Sequence, residues 1–125
     1  MGVYDEKWLK PVAKVHQYLG SKNVMVVHSE DNLDEISIAS KTKVVELRED
    51  KISEYVISPE EFGIELQPLD QLKVNSPEES LSMVKKALNG ELTAASSMVA
   101  LNAGAALYVA GVEDSLAQGI CLLYT

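Results

Sequence analysis

Val24-Met25-Val26-Val27-His28-Ser29-Glu30-Asp31-Asn32-Leu33-Asp34-Glu35-Ile36-Ser37 passes from an unbroken apolar run into a polar loop crowded with acids. Four consecutive apolar residues have the length of a strand, and the lack of alternation suits one covered on both faces, as in a parallel sheet. In an α/β sheet the carboxyl ends of strands open into the ligand crevice, so the acids arrive where a ligand would be met. Asp34 and Glu35 are neighbours, and adjacent carboxylates need a counter-charge, or one of them must take up a proton. Mg²⁺ meets that need, because it prefers one or two carboxylates and completes its coordination with water and substrate phosphate. Spacing alone does not separate such a site from a solvated turn.

Upstream, Trp8, Val12, Val15 and Leu19 recur at steps of three and four and predict a helix. Pro11 inside that pattern predicts a kink, or a short turn with the main helix opening at Pro11, and Gly20 supplies the stop. Downstream, strands over 43–48 and 51–57 are joined by Glu49-Asp50 as a two-residue hairpin turn. Ser58-Pro59-Glu60-Glu61 and Ser76-Pro77-Glu78-Glu79 each place Ser at a helix cap, Pro first in the helix and Glu at the capping-box position. Phe62-Gly63 cuts the first helix to a turn or so. The second runs through Leu81, Val84 and Leu88 to Asn89-Gly90. Residues 94–110 are apolar on nearly every side but too short for a comfortable membrane span. Gly104-Ala105-Ala106 suits close packing, so this is read as a buried helix ended by Gly111. One more helix is expected within 112–125, where the chain looks cut. These elements predict an α/β fold in a single domain over 1–125: a mixed sheet with a parallel core strand and a β-hairpin, packed by helices.

The 125 residues suffice to bury one core. A net charge of -8 and a single arginine, Arg48, exclude binding to nucleic acid, which needs clustered cations. An acidic protein can still take a phosphorylated metabolite if a divalent cation lies between the two negative partners. The lone Cys121 excludes an internal disulfide framework and a thiolate zinc cluster, and it fits a reducing cytoplasm. The start lacks a basic region followed by an apolar run, so no signal peptide is expected, and no membrane partner. Glu6 stands where a myristoylation motif wants Ser or Thr. Among the remaining polar residues, His28 is read as a hydrogen-bonded structural residue rather than a general base, and His16 is given no function. Cys121 is read as a small buried apolar residue, Trp8 and Tyr108 as core anchors, and Lys85-Lys86 as complements to a helix dipole. Asn102, set in an apolar helix, must satisfy its amide, and packing is preferred over ligand contact.

The stretch from Val26-Val27-His28 to Asp34-Glu35-Ile36-Ser37 resembles the anthranilate phosphoribosyltransferase pattern of an apolar strand, a His-Gly turn and Gly-Leu-Asp-Glu-Ile-Ser. Gly2-Val3-Tyr4, Leu19-Gly20-Ser21 and Leu101-Asn102-Ala103-Gly104-Ala105-Ala106-Leu107-Tyr108-Val109-Ala110-Gly111 extend the resemblance from Gly2 to about Ile120. It implies part of the large domain of a nucleoside phosphorylase/phosphoribosyltransferase-type fold. It also implies an enzyme of tryptophan synthesis that joins anthranilate to phosphoribosyl pyrophosphate and releases pyrophosphate. Asp34 and Glu35 are the positions it assigns to Mg²⁺ on the pyrophosphate; no residue of the chain is assigned as a nucleophile.

The departures also matter. Asn32 and Ser29 stand where that family commonly has glycine, although Asn tolerates left-handed backbone. Neither the glycine-rich pyrophosphate loop, nor the Lys-His-Gly-Asn segment, nor an arginine placed to meet anthranilate's carboxylate is found, and the N-terminal helical domain is missing. Residues 120–125 also depart from the pattern. The expectation is therefore a C-terminal fragment of the transferase that carries the metal carboxylates and is inactive alone. Phosphoribosyl pyrophosphate and anthranilate would be partners of the full-length enzyme. The alternative is a non-catalytic structural fragment that binds no metabolite; a nucleoside phosphorylase would share the architecture without this loop. Apolar surface left by absent domains predicts self-association.

Overall fold

The computed structural model describes residues 1–124. A 3₁₀ turn at Glu6–Trp8 leads into α1 (Leu9–Tyr18), followed by three strands: β1 (Asn23–Ser29), β2 (Thr42–Arg48) and β3 (Lys51–Ile57). Two more 3₁₀ turns, Pro59–Phe62 and Leu69–Leu72, precede helices α2 (Pro77–Leu88), α3 (Ala94–Val109) and α4 (Leu116–Tyr124). β2 is the middle of the three strands and pairs antiparallel with both neighbours, from Asn23↔Arg48 to Ser29↔Thr42 and from Thr42↔Ile57 to Arg48↔Lys51. On the other edge of β1, Val3 N–H donates to the Val27 carbonyl at 3.0 Å and Val27 N–H to the Met1 carbonyl at 2.9 Å. That single parallel bridge, Gly2↔Val27, is the parallel pairing among the described residues. The α/β class and the hairpin stand as read. The long ladder of β1 is nonetheless antiparallel, because an apolar run reports two-sided burial and says nothing of a neighbour's direction.

That burial is real. From Met25 to Ser29 every residue of β1 is buried, and successive side chains serve opposite faces. Val26 and Val45 meet Leu9 and Ala13 of α1, with Val3, Val12, Val24 and Ile52 around them. Met25, Val27, Val44 and Ile57 meet Ile36, Ile38 and Ile64 on the opposite face, together with Leu101 and Ala105 of α3 and Ile120 of α4. Val26 and Leu101 are each 0% exposed, and full burial of such a side chain stabilises by about 1.5–3 kcal/mol.

The α1 face differs from the sequence reading. Helix α1 opens at Leu9, two residues before Pro11, so the proline lies in the first turn, where its missing N–H costs nothing. Leu9 and Ala13 therefore face inward, while Trp8, Val15 and Leu19 are exposed. Trp8 is no core anchor; its indole N–H donates to the Tyr4 hydroxyl at 3.2 Å.

The helical side follows the sequence more closely. α2 begins with Pro77 behind the Ser76 cap, whose hydroxyl accepts from Glu79 N–H at 3.1 Å. It buries none of its residues, and Leu81, Val84 and Leu88 stay exposed. α3 and α4 approach at backbone contact. A Cβ on Gly104 would lie 2.6 Å from the Ile120 Cα, and one on Gly119 only 2.3 Å from the Gly104 carbonyl oxygen. Cys121, read as a buried small apolar residue, is exposed on α4. No described helix is long and apolar enough to cross a membrane.

Candidate metal-binding site

Residues 30–41 join β1 to β2, and their backbone is held by bonds within the loop and to Ser29 and Thr42 at the ends of the flanking strands. Asn32 has a left-handed φ of 66°, tolerated by asparagine, and its N–H donates to the Ser29 carbonyl at 3.0 Å. Ser29 N–H reaches the Leu33 carbonyl at 3.0 Å, and Leu33 N–H donates to the Ser29 hydroxyl at 3.0 Å. Ser37 N–H donates to the Thr42 hydroxyl at 3.2 Å, and Glu30 N–H to the Lys41 carbonyl at 2.9 Å. Ser29, Ser37 and Thr42 are each 0% exposed, so these bonds are shielded from competing water.

Asp31 is the hub. Its carboxylate accepts from the Ser29 hydroxyl and, at 2.5 Å, from the Ser37 hydroxyl. Partial burial pushes the Asp31 carboxyl up, but the donors on Ser29, Ser37 and Ser40 outweigh it and hold the group below the usual carboxylate range. This acid belongs to the loop's structure.

The Asp34-Glu35 pair is left over. Both residues are exposed, and neither carboxylate hydrogen-bonds or ion-pairs with another described residue. The backbone beneath them is pinned at two points. A Cβ on Gly2 would fall 1.5 Å from the Asp34 carbonyl oxygen, so the chain passes there only because residue 2 is glycine. Ile36, next after the pair, is 2% exposed. Its N–H donates to Asn102 Oδ1 at 2.9 Å and its carbonyl accepts from Asn102 Nδ2 at 2.9 Å.

The loop flanks two concavities. Glu30 and Asn32 wall a polar crevice of about 430 Å³ with Tyr4, Asp5, His28 and Lys43. Ile36 and Asn102 wall a more apolar one of about 350 Å³ with Met1 and residues of β1. The pair is exposed and lines neither. Among the described residues no group of three or more His, Cys, Asp or Glu converges, so a cation here would rely on two carboxylates plus water or phosphate oxygens. Mg²⁺ is suited to that donor set.

Other singled-out residues have structural partners. His28 is 6% exposed and donates from Nδ1 to the Val3 carbonyl at 2.8 Å, tying the N-terminal segment to β1. Arg48 lies at the hairpin end of the sheet, far from the loop in strand register, and donates to the Tyr108 hydroxyl at 2.6 Å. That hydroxyl donates in turn to buried Glu46 at 2.6 Å, which also accepts from Tyr55 at 2.8 Å. Tyr108 thus anchors through its polar end. Burial and the Glu46 carboxylate push both phenols above their usual range. Sequence reasoning missed Asp31 as a hub and the Gly2 contact; the signal available for Asp31 was its spacing from Ser29 and Ser37.

Residues 1–124 match the glycosyl transferase family, a/b domain. The chain is 55% identical over 122 residues to an anthranilate phosphoribosyltransferase of Marinomonas sp., covering 96% of this chain and 35% of that protein. It is 56% identical over 122 residues to one from Chromohalobacter salexigens, covering 98% and 35%. It thus spans about a third of the length of the curated relatives it matches. Among solved structures, the anthranilate phosphoribosyltransferase of Thermus thermophilus superposes with a TM-score of 0.88 at 36% identity, over 98% of this chain and 36% of that one. The Saccharomyces cerevisiae enzyme in complex with PRPP and Mg shares the fold at a TM-score of 0.85 and 19% identity, over 98% and 36%.

Proposed function

Because the chain belongs to the glycosyl transferase family, a/b domain, we propose that it supplies the metal side of an anthranilate phosphoribosyltransferase site, with Asp34 and Glu35 holding Mg²⁺ against pyrophosphate. The observation that carries this reading is a contrast within one loop: Asp31 is consumed by Ser29 and Ser37, whereas the adjacent pair is exposed, unpartnered and set on pinned backbone. The transfer of phosphoribosyl to anthranilate, as an activity of tryptophan biosynthesis in a reducing cytoplasm, is part of the same proposal, and so is the chain's place as the C-terminal part of an α/β domain. Mg²⁺ bound at the pair would neutralise charge that builds on the pyrophosphate leaving group. Asp34 and Glu35 supply oxygens, Ser29, Asp31 and Ser37 keep the loop in shape, and Gly2 lets the N-terminal segment close beneath it. These residues provide no nucleophile, and transfer to an amine does not call for one.

Calorimetric titration of Mg²⁺ with pyrophosphate into the wild type and into D34N/E35Q tests the assignment. Binding by the wild type and none by the variant is expected; equal binding overturns it.

A second reading is supported by the absence of any glycine-rich phosphate loop from these 125 residues. On that ground the isolated chain is a non-catalytic structural fragment that folds but binds no metabolite. Exposed Leu81, Val84, Leu88 and Leu92 favour self-association of the isolated chain.

A further inference from the structure

We propose that Asn102 is a positioning residue for the carboxylate pair: its amide, carried on α3, fixes the backbone of Ile36 and thereby the direction in which Asp34 and Glu35 present their oxygens to a divalent cation. The inference rests on the metal reading above and adds a residue 66 positions from Ile36 in sequence.

Every polar atom of the Asn102 side chain is committed. Oδ1 accepts the Ile36 N–H at 2.9 Å, one Nδ2 hydrogen goes to the Ile36 carbonyl at 2.9 Å, and the other to the Met98 carbonyl of its own helix at 3.0 Å. The Met98 bond prevents the amide from turning over, so the donor and acceptor offered to Ile36 keep their order. Both groups of one peptide residue are thereby held as a neighbouring strand would hold them, but by a side chain from a helix. The residue clamped is the one directly after Glu35, and its own side chain is buried against Leu101 and Ala105. On the other side, the Asp34 carbonyl is pressed against Gly2. The two acids are therefore carried on a span fixed at both ends. Had packing been the whole requirement at position 102, an apolar residue would have served, at the cost of two unpaired peptide groups on Ile36. Residues that orient metal ligands from outside the coordination shell act in this way, and losing one costs about ten-fold or more in metal affinity.

The test combines binding and exchange. Mg²⁺ with pyrophosphate is titrated calorimetrically into wild type, D34N/E35Q, N102A and L9V, the last weakening the α1 face of the sheet, whose cluster contains no residue of the loop. N102A is expected to raise the dissociation constant about ten-fold, while L9V lowers the melting temperature and leaves binding unchanged. Hydrogen exchange on the wild type is expected to show the Ile36 amide protected like those of β1, which needs no variant to fold. In N102A that protection is lost while β1 keeps its own. If wild type binds, D34N/E35Q does not and N102A binds like wild type, the positioning role alone is overturned. Equal weakening by L9V, or a freely exchanging Ile36 amide in wild type, overturns it as well. A wild type that binds no better than D34N/E35Q removes the metal reading and this inference with it.

Discussion

Two pairs of adjacent acids sit at opposite ends of the same sheet, and they differ in what has claimed them. Glu49-Asp50 forms the turn between β2 and β3, with φ values of 50° and 62°. Gln17 of α1 donates to the Asp50 carbonyl at 2.9 Å and to its carboxylate at 3.2 Å, and Arg48 and Lys51 flank the turn. That pair turns the chain, and the Asp50 carboxylate is held by the Gln17 amide. Asp34-Glu35 follows β1 in a loop whose structural work is done by Ser29, Asp31, Ser37 and Asn102. Its carboxylates have no protein partner among the described residues. The pairs at Glu60-Glu61 and Glu78-Glu79 extend the lesson: Glu61 accepts from Ser58 N–H at 2.5 Å and Glu79 from Asn75 N–H at 2.8 Å, so each serves a cap. Adjacent acids suggest a ligand only where other residues have taken over the folding duties.

The loop's dependence on its supports can be broken. Gly2→Ala has the largest expected effect, because the new Cβ has no room beside the Asp34 carbonyl and either the N-terminal segment or the loop must move. Overpacking against backbone predicts a loss of about 3 kcal/mol, measured by denaturant unfolding, with weakened Mg²⁺-pyrophosphate binding. An unchanged midpoint would mean the loop is less tightly seated than its contact with Gly2 implies.

Asp31→Ala comes next, at about 2 kcal/mol, for the loss of two charge-assisted hydrogen bonds from buried hydroxyls. The sign with pH follows from the carboxyl being held below its usual value. Its contribution is complete above the unfolded value of about 4 and disappears as pH falls through the lower folded value. Thermal melts from about pH 5 downward should therefore show the wild type losing more stability than Asp31→Ala. Parallel curves would count against Asp31 as the hub.

The hairpin end sharpens the contrast with the smallest effect, and an opposite sign. Glu49→Asn with Asp50→Gly suits two left-handed positions better than the acids do and should stabilise by under about 1 kcal/mol. Metal binding should not change.

How far the sequence disclosed all this depends on the kind of signal. Local chemistry was readable: the Ser76-Pro77 helix start, the two-residue turn at Glu49-Asp50 and the close packing at Gly104 all stand in the structure. Faces were harder. The Trp8, Val12, Val15, Leu19 stripe lies one step round from the buried Leu9-Ala13 stripe, since a short helix with apolar residues on several sides does not declare which one is covered. The acidic loop could be located, because it follows a strand buried on both faces. Its internal division of labour could not, since Asp31 differs from Asp34 only through Ser37 folding back and through Asn102 and Gly2 arriving from distant parts of the chain.

The most direct test puts both acid pairs in one experiment. Mn²⁺ is added with pyrophosphate to the isotope-labelled chain, and the amide signals broadened by the paramagnetic ion are read by NMR. The account predicts that Asp34, Glu35 and Ile36 broaden at the lowest ion concentration while Glu49 and Asp50 stay sharp. Equal or earlier broadening at Glu49 and Asp50 would contradict it.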